Sequence, residues 1–366
     1  PSVPNSFGRL SEAYLSALLA LDGKSNPLKL PARHSYAVVL VDGLGVANIK
    51  AAGGHAGFLN QKLNHSKSLF SGFPATTATS LASFATGKES GEHAFIGYRV
   101  YDRTISKAIN LLNDLGHEFP PRKYQDIQTI SEQAVALQKN VVTVGPGEYA
   151  DSGFTHATMP AAKYLAAKTI EERFEIARSE IAKPGSLVYL YIPELDQLAH
   201  RFGTQSQTWL NTIETLDSTL LSFTKSLPRE SGAILTADHG VIDVPQTSHV
   251  YLEGHESLED ILMIGGDPRV SFLYFEPGID LVAKRQNIES EIGAQVDVVT
   301  VQDLVESGWY QPLSAASSRV APDLVLLPKG NRVVYHRGFA KVKSLAMIGQ
   351  HGGMSKAEWE VPLLVF

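Results

Sequence analysis

Four apolar runs mark the first two thirds of the chain: "YAVVLVDG" (36–43), "VVTVGPG" (141–147), "SLVYLYIPELD" (186–196) and "GAILTADHG" (232–240). Runs of this length without polar alternation are expected of strands covered on both faces. Between them apolar positions recur at helical spacing, over Ser131 to Gln138, Ala161 to Ala182 and Gln205 to Leu227, the last with Trp209, Ile213, Leu216, Leu220 and Leu221. Strands alternating with helices predict an α/β architecture with a mostly parallel sheet. From about 244 to 334 the pattern changes to short strands separated by Gly and Pro turns, in "ILMIGGDPRVSFLYFEPG", "AQVDVVTV" and "APDLVLLPKG". The expected organisation is therefore an α/β core over 1–243, a small inserted α+β subdomain over 244–334, and a return to the core over 335–366, with "VPLLVF" as a strand rejoining the main sheet.

Composition narrows the chemistry. The 366 residues are 43% hydrophobic and 19% charged, and no apolar run approaches the roughly 20 residues of a membrane span. A net charge of -6 offers no basic footprint for a nucleic-acid backbone, so a nucleic-acid scaffold role is not expected. The chain has no cysteine, so a metal would be held by His, Asp, Glu or hydroxyl groups. No charged region followed by an apolar stretch opens the sequence, so no signal peptide is read and the cytoplasm is the expected compartment. The oligomeric state is left open.

In open α/β sheets ligands sit beyond the carboxyl ends of the strands. Asp42 follows the first run, Asp196 the third with His200 four residues on, and Asp238 and His239 the fourth. An Asp at one strand end is commonly a helix cap, and an Asp-His pair at helical spacing is commonly a surface pair. Their coincidence at three buried strands points to oxygen and nitrogen ligands for divalent ions of the zinc or manganese type. His351, in the glycine loop "GQHGGMS", is a further candidate. Six such ligands suffice for two ions with open positions, the arrangement used for in-line displacement at phosphorus.

That reading requires a nucleophile, and "GFPATTATSLASFATGK" (72–88) is rich in hydroxyls. It is not a Walker loop, because Ala82 stands at the first glycine position and Glu89 where Ser or Thr is needed. "DGLGVAN" (42–48) likewise fails as a dinucleotide fingerprint, with Asn48 at its last glycine position. Pro74 enforces an extended entry, and a threonine is expected to cap a helix running through Leu81 to Thr86. A hydroxyl at that helix start, activated by metal, would serve as nucleophile, with backbone N–H groups beside it for a phosphate.

Six motifs in order, "VVLVDGLG" (38–45), "FPATTATSLASFATG" (73–87), "EHAFIGYRVYD" (92–102), "YIPELDQLAHRFG" (191–203), "TADHG" (236–240) and "QHGGMS" (350–355), resemble the alkaline phosphatase superfamily, and most closely its type I phosphodiesterase/nucleotide pyrophosphatase branch. The resemblance implies a three-layer α/β/α fold. It also implies two divalent ions, zinc first and manganese as the alternative, one held by Asp42, Thr77, Asp238 and His239 and the other by Asp196, His200 and His351. Thr77 would be the nucleophile, forming a phosphothreonine on a small phosphate diester or nucleotide-type substrate. Where the family commonly carries an asparagine three residues on, this chain has Ser80, a substrate-binding candidate together with Tyr98 and Arg99. The chain lacks the sulfatase cysteine or serine setting and the arginine that accompanies the serine of monoesterase alkaline phosphatases. A phosphonate hydrolase, a phosphomutase, or a non-catalytic metal- and phosphate-binding protein are the alternatives.

Overall fold

The computed structural model describes Val3 and residues 6–366. Its main sheet has eight strands in the spatial order Gly8–Arg9, Lys67–Phe70, Glu360–Val365, Ser231–Thr236, Ser35–Val41, Ser186–Ile192, Asn140–Gly145 and Lys163–Ala166. Neighbours run parallel throughout, except that Glu360–Val365 lies antiparallel to both of its partners. Ser35–Val41 is buried at every position, and its Val38 stands opposite Ile234 on one side and Tyr189 on the other. Two groups of helices pack among themselves: Ser11–Leu21, Thr77–Thr86 and Ile130–Ala136 in one, Val46–Ala52, Gly57–Leu63, Ile170–Ile181 and Gln207–Lys225 in the other. A strand covered on both faces has no solvent side on which to place a polar residue, which is why these runs are unbroken.

One expected helix divides. Residues 161–182 contain a strand, Lys163–Ala166, before the helix Ile170–Ile181. Thr169 accepts from the Glu172 N–H while the Glu172 carboxylate accepts from the Thr169 N–H, a reciprocal cap that fixes the helix start. The residues before this cap pair with Val142–Gly145 at the sheet edge, so a tertiary contact overrides their helical spacing. The run 186–196 also ends as a strand at Ile192, and Asp196 lies in the first turn of the helix Glu194–Phe202.

Within residues 244–334, the strands Met263–Asp267, Val270–Tyr274, Leu324–Pro328 and Val296–Val299 form an antiparallel sheet in that order. Alternate positions divide its faces: Val270 and Phe272 join the main core, whereas Leu273, Leu324 and Leu326 pack with Ile288 and Ile292 in a second cluster. The closing segment returns to the main sheet through Glu360–Val365.

The hydroxyl-rich helix Thr77–Thr86 is almost wholly buried. On it, Ser83 Oγ lies 2.8 Å from Nε2 of His93, and burial lowers the imidazole pKa from 6.5 to about 3. The folded protein thus refuses a proton that the unfolded chain accepts. Stability should be fully present above pH 6.5 and fall by up to about 1.4 kcal/mol per pH unit as pH drops toward 3. Denaturant titrations from pH 7 to 4 should show a shallower acid limb for His93→Gln than for the parent; superimposable limbs would refute the assignment.

Candidate active site

The carboxyl ends of the three central strands converge on one buried cluster. Asp42 follows Ser35–Val41, Asp238 and His239 follow Ser231–Thr236, and Asp196 and His200 share one face of the helix after Ser186–Ile192. Close backbone packing sets the separation of the loops. A Cβ on Gly240 would lie 2.1 Å from the Ala357 carbonyl oxygen, so only glycine fits there. The Asn48 amide bridges the same region, donating to the Val241 carbonyl at 2.8 Å and accepting from the Val241 N–H at 3.1 Å. The residue that spoils the dinucleotide fingerprint thus ties the Asp42 loop to the Asp238 loop.

His239 Nε2 lies 3.3 Å from Asp42 Oδ1, 3.5 Å from Asp238 Oδ2 and 3.1 Å from the Thr77 hydroxyl. His200 Nε2 lies 3.0 Å from Asp196 Oδ2, and its Nδ1 is 2.7 Å from the Gly349 carbonyl. His351 enters on the loop after Gly349–Gln350, stacks on His239 at 3.7 Å between ring centroids, and places Nδ1 3.2 Å from the Ala75 carbonyl. Gly352, at φ +119°, turns that loop and pairs with Ala75 beside Thr77.

The donor set fits divalent cations. Asp42 Oδ1, Asp196 Oδ1 and Asp238 Oδ2 are buried and without a hydrogen-bond partner, a costly arrangement unless a cation is bound. Two groups place their donor atoms within 4.8 Å of one another, Asp42 with Asp238 and His239, and Asp196 with His239 and His351. His239 therefore stands between the two groups, and His200 adjoins the second through Asp196.

Burial, followed by repulsion from Asp238 and Asp196, raises the Asp42 pKa well above the ordinary carboxylate value. Burial also raises Asp238. At Asp196 burial is outweighed by His200, His351 and His239, which hold the carboxyl below its usual range. His351 is lowered by burial and by His239. A cation would remove the repulsion among the carboxylates and select their ionised forms.

Thr77 opens its helix, with Thr76 as the extended N-cap residue. It lines a cavity of about 540 Å³ together with Asp42, Asp196, Tyr149, Tyr191 and Phe154. Tyr191, which sequence reasoning missed, donates to Asp42 Oδ2 at 2.5 Å. It lay within a strand run whose apolar character conceals an inward hydroxyl. Tyr191→Phe is expected to weaken divalent-ion binding at Asp42 by about ten- to a hundredfold, measured by competition with a chelating dye. Unchanged affinity would make Tyr191 a cavity wall only.

The three substrate-binding candidates separate. Ser80 is fully buried within the helix, its hydroxyl lacks a partner, and it lines neither this cavity nor its neighbour. Tyr98 and Arg99 line the adjoining cavity of about 330 Å³ with Asp267, another residue that no spacing signal linked to the site. Thr76 and the Tyr98 backbone lie against the Asp267 carboxyl, and burial raises its pKa to about 7.

The family model for type I phosphodiesterase/nucleotide pyrophosphatase matches residues 36–354, which contain all six motifs' metal-ligand and hydroxyl positions. The chain belongs to this family. Among solved structures it is similar to murine ectonucleotide pyrophosphatase/phosphodiesterase 5, an inactive threonine-to-alanine variant in complex with AMP. The TM-score is 0.70 at 17% identity, covering 90% of this chain and 87% of that one. The human counterpart gives a TM-score of 0.70 at 15% identity, over 90% and 87% of the two chains. Phosphonoacetate hydrolase from Sinorhizobium meliloti 1021, in complex with phosphonoformate, gives 0.69 at 16% identity, over 92% and 91%. At these identities the structural likeness shows the shared fold. No curated protein matches the sequence. As a member of the type I phosphodiesterase/nucleotide pyrophosphatase family, the chain carries its buried Asp/His cluster at the strand ends where this fold places ligands.

Proposed function

We propose that the protein is a two-metal phosphodiesterase of the nucleotide pyrophosphatase type that acts through a phosphothreonine at Thr77. The observation that carries this reading is the position of the Thr77 hydroxyl, 3.1 Å from His239 Nε2 at a helix start and facing the 540 Å³ cavity. The murine relative is inactive when a threonine is replaced by alanine, and Thr77 is the threonine of this chain that meets both the cluster and the cavity.

Asp42, Asp238, His239 and Thr77 would hold one divalent ion, and Asp196, His200 and His351 the other, with zinc favoured by the His/Asp donors. Bound ions would acidify the Thr77 hydroxyl and neutralise charge on the phosphoryl and departing oxygens. Thr77 Oγ1 attacks phosphorus in line, forming the Oγ1–P bond as the bond to the leaving oxygen breaks. Water then attacks phosphorus on the vacated face and releases Thr77. Two inversions give net retention of configuration. Backbone N–H groups at the first turn of the Thr77–Thr86 helix face the phosphoryl oxygens, and the aromatic wall of Tyr149, Tyr191 and Phe154 receives the organic substituent.

The test combines metal analysis with turnover of bis-p-nitrophenyl phosphate, p-nitrophenyl phosphate and phosphonoacetate. Fastest hydrolysis of the diester, with about two metals per chain, supports the proposal. Preference for phosphonoacetate would reassign the chain to phosphonate hydrolysis, and a metal-loaded protein that turns over none would be a binding protein.

A further inference from the structure

The two cavities beside the Asp/His cluster differ in charge. The larger, which contains Thr77, is aromatic and has no lysine or arginine in its wall; its ionisable groups are Glu148 and the carboxylates Asp42, Asp151 and Asp196, together with tyrosines. The smaller brings Arg99, Lys341 and His336 to one space. Asn113 lines both, and its Nδ2 donates to Tyr98 Oη at 3.3 Å, so these two polar side chains mark the boundary between them. Asp267, in the smaller cavity, is within electrostatic reach of His200 and Asp196, so this cavity too lies close to the cluster.

The cations of the smaller cavity are not neutralised by the protein. Arg99 spends one N–H on the Phe339 carbonyl at 3.3 Å, and among the described residues it has no carboxylate partner. The Lys341 ammonium has no partner among the described residues. Of the acids present, Asp114 accepts from the Asn110 N–H, and Asp267 lies against the Thr76 side chain and the Tyr98 backbone while its Oδ2 is buried without a hydrogen-bond partner. His336 has Glu253 at 3.9 Å. Two unpaired cations facing a space of about 330 Å³ are suited to an oxyanion, and the guanidinium fork matches phosphate oxygens in particular.

We infer that the Arg99/Lys341 cavity binds a second phosphate group on the substrate, carried by the portion remote from the Tyr149/Tyr191 cavity. The inference rests on the reading of the Asp/His cluster as the phosphoryl-transfer site. It makes the preferred substrate a diester that carries a further phosphate monoester on one arm, that arm seated in the Arg99/Lys341 cavity, rather than a simple neutral-armed diester.

The test uses zinc-loaded full-length protein and the p-nitrophenyl ester of thymidine 5′-phosphate, with and without a 3′-phosphate. The parent should show KM lower by about tenfold for the 3′-phosphorylated ester, as one charge-assisted contact would give. The double variant Arg99→Gln/Lys341→Gln should erase that ratio, leaving equal KM values for the two esters. Lys341 is exposed, so Lys341→Gln alone should fold normally and lose part of the ratio. The preference should also shrink with added salt. Equal KM values in the parent, or a preference that survives the double substitution, would overturn the inference while leaving the diesterase reading intact. If neither ester is hydrolysed, that reading fails, and calorimetric titration with thymidine 3′,5′-bisphosphate against the 5′-monophosphate decides the cavity separately. Tighter bisphosphate binding lost in the double variant supports it, and equal binding rejects it.

Discussion

Thr77→Ala is expected to reduce diester turnover by on the order of 10⁴-fold or more, as loss of a catalytic nucleophile does elsewhere, while metal content stays close to that of the parent. The two neighbouring threonines provide the control. Thr77 is part-exposed to the cavity and has its hydroxyl 3.1 Å from His239 Nε2, whereas Thr76 is 1% exposed and lies against Asp267. Thr76→Ala should therefore retain much of the activity. Metal retention in Thr77→Ala follows from the six Asp and His donors left in place. Rapid-quench experiments should detect phosphorylated protein in the parent and none in the variant. If Thr76→Ala is the dead variant and Thr77→Ala the active one, the nucleophile has been assigned one residue out of register.

The second large effect is expected at a buried ion pair that straps the site together. Arg269 donates from Nε to Glu358 Oε1 at 2.9 Å and from a terminal nitrogen to Oε2 at 2.8 Å, with the two side chains 3% and 0% exposed. Glu358 also accepts from the Gly353 N–H at 2.8 Å, two residues after His351, and its backbone carbonyl accepts from the Gly240 N–H at 2.7 Å, next to His239. Arg269 in turn donates to the Gly330 and Arg332 carbonyls, so the small sheet and the His351 loop are joined through this pair. Either Arg269→Ala or Glu358→Ala leaves a charge buried without its partner and should cost ~3–5 kcal/mol in urea denaturation. Arg269→Met/Glu358→Met should cost less than the sum of the single losses, because it removes both charges. Strict additivity would show that the pair does not act as a unit.

The parts of the fold that could be read in the sequence are those set by local rules. Strands covered on both faces must be apolar throughout, so "AVVLV", "LVYLYI" and "AILT" announced the centre of a parallel sheet, and the acidic or histidine residues just beyond them announced the sheet end at which the Asp/His cluster gathers. The strand Lys163–Ala166 was hidden because its pairing with Val142–Gly145 is a non-local contact at the sheet edge. Ser80 illustrates the same limit within the site: its position in a hydroxyl-rich motif cannot reveal that it faces the helix packing, where it is fully buried.

By itself the sequence determined the fold class, the family, and the residue types able to hold divalent ions, because burial periodicity and ordered motifs are written along one dimension. Only the tertiary structure decided which hydroxyl meets the cluster, that His239 stands between the two donor groups, that Tyr191 supports Asp42, and that Arg99 and Lys341 share a cavity across 242 positions of chain. Those relations depend on loops brought side by side by strand order and by glycine contacts such as Gly45 with Gly240, and spacing along the chain carries no record of them.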